Sequence, residues 1–278
     1  MTVNSLLSRL ACSPDCQALY ARVRQIPLVG TFSHNLVSRF LPGGTRVTVP
    51  VRDGLAARLQ VTIDPRFEAD YVGGFYEPAL QKCLAASLGR GQVFYDIGAH
   101  IGFITLVGAR LVGPEGRVFA FEADPLNASR ISHHAELNSL SQIELVRSAV
   151  WSECTSLSFQ RDSESSSGNR GSVVGGSQTE TLPNIVHVTA TTVDAFALEH
   201  LPPAVIKIDV EGAEIEVMKG ADRVLRESRP IVICEIHNVD AAEFVSRWLV
   251  DRGYAWDDLE KTDSFPRHIS ARPSSHRS

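Results

Sequence analysis

Four acids stand where short runs of β-branched and aromatic residues end. Asp96 follows Val93-Phe94-Tyr95, and Glu122 follows Phe119-Ala120-Phe121. Asp209 follows Val205-Ile206-Lys207-Ile208, and Glu235 lies near the end of a run from Pro230 to Ile236. In an open parallel sheet the carboxyl ends of the strands form the ligand crevice. Any one of these acids reads equally well as a helix cap or a solvated turn residue. Together they describe a crevice suited to a ligand that carries hydroxyls or positive charge.

The first acid opens a turn of small residues, with Gly98, Ala99, His100 and Gly102 leading into a segment of helical spacing from Phe103. Glycines there allow close backbone approach to a ligand, and the N–H groups that open the helix point at whatever binds. A dinucleotide turn requires G-x-G-x-x-G; the spacing here is Gly98-x-x-x-Gly102. A carboxylate at Asp96 repels a pyrophosphate but suits the amine and sulfonium of S-adenosylmethionine (SAM). Glu122, about twenty residues downstream, can accept both hydrogen bonds of a ribose diol. Asp124, directly before Pro125, is better placed than Glu122 to cap the following helix.

A hydroxyl that reacts at this crevice needs a proton acceptor, and His237, just past the Glu235 strand, is the candidate base. Its bland reading is a surface turn histidine. Glu235 could orient His237 or bind acceptor hydroxyls, and Lys207 could balance neighbouring acids. Asp209, Glu235 and His237 also form an oxygen and imidazole set for Mg²⁺ or another divalent cation, although capping and cofactor contacts explain the same acids. Glu211 and Glu214 read as caps near the positive end of the next helix. His133 and His134 are adjacent within a helix, so they point to different faces and read as packing or surface residues.

The elements that must position these groups follow from periodicity. Thr45–Val49 and Ala57–Ile63 alternate around Arg52-Asp53-Gly54, which predicts a β-hairpin. Pro78–Leu88 reads as a helix stopped at Gly89-Arg90-Gly91. From Val93 strands and helices alternate, which predicts a parallel sheet with crossover helices. The predicted strands are Val93–Asp96, Arg117–Glu122, Ile143–Ser148, Ala204–Asp209 and Pro230–Ile236, with Tyr254–Leu259 and His268–Arg272 as two last ones. Predicted helices include 103–111, Pro125–Asn138, one unbroken helix from Ala213 to Arg226, and Ala241–Asp251. Phe159–Pro183 is rich in Ser, Gly and Thr and reads as a flexible insertion or a substrate loop, followed by a short edge strand at Val188–Asp194. The first 40 residues read as helical pieces broken at Pro14 and Pro27, with a packing or dimerisation role. The division expected is an N-terminal helical extension and hairpin (1–70), a main domain (71–272) and a disordered tail (273–278).

The 278 residues can bury a sizeable core. A formal net charge of −5 argues against a general nucleic-acid-binding surface. No apolar run is long enough to span a bilayer, and Met1–Arg9 lacks the pattern of a secretory signal. Five scattered cysteines, Cys12, Cys16, Cys83, Cys154 and Cys234, read as reduced thiols of a cytoplasmic protein.

Residues 71 to about 238 resemble the FkbM-type methyltransferase family of class I SAM-dependent methyltransferases. The matching stretches are F-Y-E-P (Phe75–Pro78), V-F-Y-D-I-G-A-H-I-G (Val93–Gly102), V-F-A-F-E-A-D-P (Val118–Pro125), I-K-I-D-V-E-G-A-E (Ile206–Glu214) and C-E-I-H (Cys234–His237). The resemblance implies an α/β, Rossmann-like, mostly parallel seven-stranded sheet and methyl transfer from SAM, usually to a hydroxyl of a sugar, polyketide or other specialised metabolite. It implies that Asp96, Gly98, Ala99, His100 and Gly102 shape the methionine side of the cofactor site. Glu122 with Ala123 would take the ribose, and Ser148 and Ala149 would lie near the adenine. Asp209 would sit by the methionine amine or the methyl, and Glu77 would help close the site beside Tyr76 or Phe75. The family often has Asn where His100 stands. The partner implied is a small hydroxylated acceptor, with no nucleic acid and no membrane; a homodimer through the N-terminal segment is a further expectation. Two other classes compete: a nicotinamide-dependent oxidoreductase, disfavoured by the glycine spacing, and a non-catalytic interaction module, disfavoured by the retained acids and glycines.

Overall fold

The computed structural model describes residues 13, 15–16, 44–161, 171–174, 184–262 and 264–274. The helical pieces expected in residues 1–40, and the dimerisation expected of them, lie almost wholly outside the described residues. The hairpin is present. β1 (Val47–Pro50) and β2 (Gln60–Ile63) pair antiparallel, Val49 opposite Val61, and a short helix α1 (Ala69–Gly73) and the helix α2 (Pro78–Ser87) follow.

The alternating region then runs β3 (Val93–Ile97), α3 (Phe103–Val112), β4 (Arg117–Phe121), α4 (Pro125–Leu137) and β5 (Ile143–Val146). After an excursion of four more strands, β6 to β9, and α5 (Val193–Glu199), it resumes as β10 (Val205–Ile208), α6 (Glu214–Lys219), α7 (Asp222–Glu227), β11 (Ile231–Ile236), α8 (Val239–Asp251), β12 (Tyr254–Asp258) and β13 (Arg267–Pro273). The main sheet has seven strands in the order β12-β13-β11-β10-β3-β4-β5. The pairs among β11, β10, β3, β4 and β5 are parallel, and β13 runs antiparallel to both β11 and β12.

Side chains alternate across the sheet, so each strand feeds two cores. Phe94, Val118, Val205 and Ile233 pack with the hairpin, α2 and α3. Tyr95, Ile97, Ile206, Ile208, Val232 and Cys234 pack with α6, α7 and α8 on the other side. The hairpin is also clasped to α4 by polar contacts. Arg130 donates to both carboxylate oxygens of buried Glu68 at 2.7 and 2.6 Å and to Thr62 O at 2.8 Å. His134 donates from Nδ1 to Ile101 O, and its Nε2 accepts from Thr62 N, both at 2.8 Å. Burial pulls its pKa down to about 4, so it stays neutral and keeps that lone pair. His134 is thus the packing histidine that helical geometry predicted.

Three expectations are corrected. The Ser-rich stretch is not merely a loop. β6 (Ala149–Val150), β7 (Thr155–Arg161), β8 (Gly171–Val174) and β9 (Ile185–Thr191) form a second sheet in the order β6-β9-β7-β8. The predicted edge strand is therefore the interior strand β9, whose Val188 and Ala190 are buried with Phe159 of β7; residues 162–170 and 175–183 lie outside the description. The helix predicted over Ala213–Arg226 is two, α6 and α7. Gly220 sits at the break, where a Cβ would lie 2.1 Å from Trp151 O, and Asp194 caps α7 through Arg223 N and Val224 N at 2.8 Å each. Pro273, placed in the tail from sequence, closes β13 opposite Tyr254. No helix among the described residues is long and apolar enough to cross a membrane.

Candidate active site

At the carboxyl ends of β3, β4 and β10 lies an open cleft whose empty space, counted out into solvent, is about 770 Å³. Gly98, His100, Glu122, Ala123, Ser148, Ala149 and Asp209 line it. A second cavity of about 250 Å³ abuts it, walled by Tyr71, Glu77, Ala99, Phe103 and Lys207, and shares Tyr76, Gly98, His100 and Asp209 with the first.

The turn after β3 is shaped for backbone approach. Gly98 has φ +73°, and a Cβ there would fall 1.7 Å from Asp209 O, so the turn and the end of β10 touch only because the residue is glycine. Gly98 N and Ala99 N both donate to Phe121 O at 3.0 Å, which ties the turn to β4. His100 N donates to Glu122 Oε2 at 2.7 Å, and Asp124 N donates to Oε1 at 2.8 Å. Burial pushes the Glu122 pKa up to about 8, against the pull of those N–H groups. Its carboxyl is therefore fixed in place with spare lone pairs at the cavity wall. Asp124 takes the capping role, accepting from Leu126 N at 2.7 Å.

Asp96 and Gly102 stand behind the wall rather than in it. Asp96 is 0% exposed; it accepts from Thr105 Oγ1 at 2.6 Å and lies 3.4 Å from Lys207 Nζ. A ligand amine at the turn would meet the charge of Asp96 only through Lys207. Gly102 caps α3 with φ +88°, and a Cβ there would press on Ile131 of α4; its smallness serves helix packing.

Lys207 is the hub. Its Nζ donates to Gly98 O at 2.8 Å and stands 3.3 Å from Asp209 Oδ2. Burial lowers its pKa, but Asp209, Asp96 and Glu77 more than offset this, so the lysine stays charged. Burial pushes Asp209 up and Lys207 pulls it further down, leaving a carboxylate below its ordinary range. Glu235 hydrogen-bonds Asp209, and burial together with the Asp209 charge pushes Glu235 up, so one proton serves the pair. Burial and Asp209 likewise raise Glu77.

His237 lies where strand order predicts, but ringed by carboxylates. Nδ1 donates to Glu214 Oε1 at 2.7 Å; Nε2 faces Glu211 Oε2 at 3.2 Å and stands 3.9 Å from Asp209 and from Glu235. Burial lowers its pKa, while Glu211 and Glu214 raise it more, to about 10. Glu214, read from sequence as a simple cap, is 0% exposed and positions this ring. The expected set Asp209–Glu235–His237 divides in two: Asp209, Glu211 and His237 bring ligand atoms within 4.8 Å of one another, and Glu235 groups with Glu77 and His268.

Sequence reasoning missed part of the wall. Phe159, Gly171 and Val173 of the β7–β8 hairpin line the larger cavity beside Ser148 and Ala149. Arg161 at the end of β7 holds that hairpin to Asp124 at 2.9 Å. The alternation of Leu157, Phe159 and Arg161 was the available signal, obscured by the serines around it.

Strand order, the antiparallel β13 and a crevice at the β3, β4 and β10 ends are those of the class I SAM-dependent methyltransferase fold. The sequence profile of the Methyltransferase FkbM domain matches residues 96–255. The chain belongs to that family, and SAM is the cofactor of its class. It is 31% identical over 147 residues to the hexuronic acid methyltransferase AglP of Haloferax volcanii, covering 52% of this chain and 56% of that protein; the chain thus spans about half the length of the curated relative it matches. Among solved structures it is similar to the methyltransferase FkbM from Methylobacillus flagellatus KT (18% identity, 65% of this chain and 43% of that one, TM-score 0.47). It is also similar to a SAM-dependent O-methyltransferase from Thermotoga maritima (12% identity, 86% and 96%, TM-score 0.48).

Proposed function

We propose that the protein transfers the methyl group of SAM to a hydroxyl oxygen of a small polyhydroxylated acceptor, a sugar in the first instance. The observation that carries this reading is the meeting of the two cavities at Gly98, His100, Tyr76 and Asp209, where a fixed carboxyl (Glu122) lies on one side and the carboxylates Asp209 and Glu211 on the other, with His237 buried behind them, 3.2 Å from Glu211. The name of the hexuronic acid methyltransferase relative supports a sugar acceptor.

SAM supplies an electrophilic sulfonium methyl. Glu122 would hold the ribose hydroxyls, Ser148, Ala149 and Phe159 would flank the adenine, and the Gly98–His100 backbone with Glu77 would enclose the methionine end. Fixing the acceptor oxygen in line with the methyl supplies much of the acceleration. His237 Nε2 is the group that would take the acceptor hydroxyl's proton, and Glu214 holds its ring from the far side. A base with a pKa near 10 is strong but largely protonated at neutral pH, so the reading demands turnover that climbs with pH.

A second reading keeps the cofactor and adds a divalent cation on Asp209, Glu211 and His237, favoured by the convergence of these three groups; it would lower the acceptor hydroxyl's pKa. Turnover that survives exhaustive chelation ends that version. The main test combines calorimetry with SAM and a radiolabelled methyl-transfer screen over neutral sugars and uronic acids. Saturable SAM binding with label recovered in a base-stable methyl ether is expected. SAM binding with no transfer to any hydroxylated acceptor points instead to an interaction module.

A further inference from the structure

The main sheet carries a row of polar side chains across one face near its carboxyl end. Strand register puts Asp96, Lys207 and Glu235 on that face, and His268 pairs with Glu235 across β11 and β13. Glu77, left-handed at φ +47° where α2 begins, joins the row. One ligand atom each from Glu77, Glu235 and His268 lies within 4.8 Å of the other two.

The imidazole separates this triad from an ordinary acidic cluster. His268 is 6% exposed, and its Nε2 is buried with no hydrogen-bond partner among the described residues, 3.8 Å from Glu77 Oε2. A proton on that nitrogen would find no acceptor in hydrogen-bond range, and a lone pair there would have no donor; interiors rarely leave a polar atom so. The other ring nitrogen, Nδ1, faces Glu260 at 3.3 Å, the arrangement by which a carboxylate orients a metal-bound histidine. Two ligand atoms about 2.1 Å from one cation lie ~3.0 to 3.4 Å apart in octahedral or tetrahedral geometry. A gap of 3.8 Å therefore closes with a small side-chain rotation.

We propose that Glu77, Glu235 and His268 bind a divalent first-row cation of the Mn²⁺ or Zn²⁺ kind, behind the smaller cavity whose wall Glu77 forms. One imidazole with two carboxylates suits these ions better than Mg²⁺ or Ca²⁺, which favour all-oxygen sites. Three protein ligands leave positions open for water or an acceptor oxygen. The site is distinct from Asp209, Glu211 and His237, joined to them through the Asp209–Glu235 hydrogen bond, and it does not depend on the reaction proposed above.

The test is titration of the full chain with Mn²⁺, followed by loss of the free-ion paramagnetic signal, and with Zn²⁺ by calorimetry. Saturable binding is expected in the wild type, weakened at least about tenfold in Glu77→Gln and in His268→Asn and essentially retained in His237→Asn. Circular dichroism and thermal melts of the same preparations report folding, and SAM calorimetry on the wild type tests the methyltransferase reading separately. If buried His268→Asn fails to fold, Glu77→Gln alone decides. No saturable binding of either ion, or binding unchanged by Glu77→Gln, or binding lost in His237→Asn but kept in Glu77→Gln, overturns the proposal.

Discussion

At the scale of single residues, the site is governed by how few positive groups face its carboxylates. Lys207 serves Asp96 and Asp209 at once, and His237 serves Glu211 and Glu214. Because the His237 pKa is raised on folding, its contribution to stability is fully present below its unfolded value near 6.5 and is lost as pH rises through about 10. Wild-type protein should lose on the order of 2–4 kcal/mol of unfolding free energy between pH 7 and pH 10.5 from this group, and His237→Asn should not; urea titrations at both pH values measure the difference. The same variant should bind SAM within a few-fold of wild type while kcat falls about 10²-fold or more and the alkaline rise in kcat/KM disappears. An unchanged pH profile would remove His237 from proton transfer. On the cofactor side, Glu122→Ala takes away the proposed ribose acceptor and leaves the N–H groups of His100 and Asp124 without their partner. Calorimetry should show SAM affinity reduced by roughly 10- to 100-fold, the loss of one or two buried hydrogen bonds.

Among the elements, the β7–β8 hairpin was the least legible and bears most directly on the cofactor. Phe159 is almost fully buried yet lines the cavity, so it packs the small sheet and presents an aromatic wall to a ligand. A Cβ on Gly171 would come within 2.3 Å of that ring, which explains a glycine inside a strand. Phe159→Ala should weaken SAM binding about 5- to 20-fold by removing aromatic contact with the adenine, while the thermal midpoint, dominated by the larger sheet, moves by a few degrees. SAM affinity equal to wild type would mean that the hairpin walls something other than the cofactor. Arg161→Ala, which frees the hairpin from Asp124, should shift affinity in the same direction by a smaller factor.

For the whole molecule, the site depends on how the N-terminal hairpin is held to α4 and thereby on the layer that presents Glu77. Arg130 bonds Thr62 O of the hairpin and pairs with Glu68 at the start of α1, both side chains of that pair 6% exposed. Breaking a buried pair from one side strands the other charge, so Arg130→Met should cost about 3–5 kcal/mol. The thermal midpoint would drop by on the order of 10 °C. Restoring neutrality with Glu68→Gln in the same chain should recover part of the loss. Recovery of nothing would mean that Arg130 acts mainly through Thr62 O.

Local pattern alone determined the seven strands of the main sheet and the helices between them, apart from the break at Gly220, together with the hairpin before them and the placement of Gly98, Glu122, Ser148, Ala149 and Asp209 at strand ends. Those features depend on period-two and helical spacing and on the rule that open parallel sheets bind at their carboxyl ends, and each is written within a few residues. What tertiary structure decided depends on partners distant in the chain. The β11–β13 pairing set His268 beside Glu235. The left-handed Glu77 came to face Lys207 and Asp209 across the smaller cavity. Burial turned Asp96 from a ligand contact into the counter-charge of Lys207 and made Glu214 the partner of His237. Spacing records which face a side chain takes on its own element; register between strands, and the loss of water that shifts a carboxyl or an imidazole, exist only once the layers have closed.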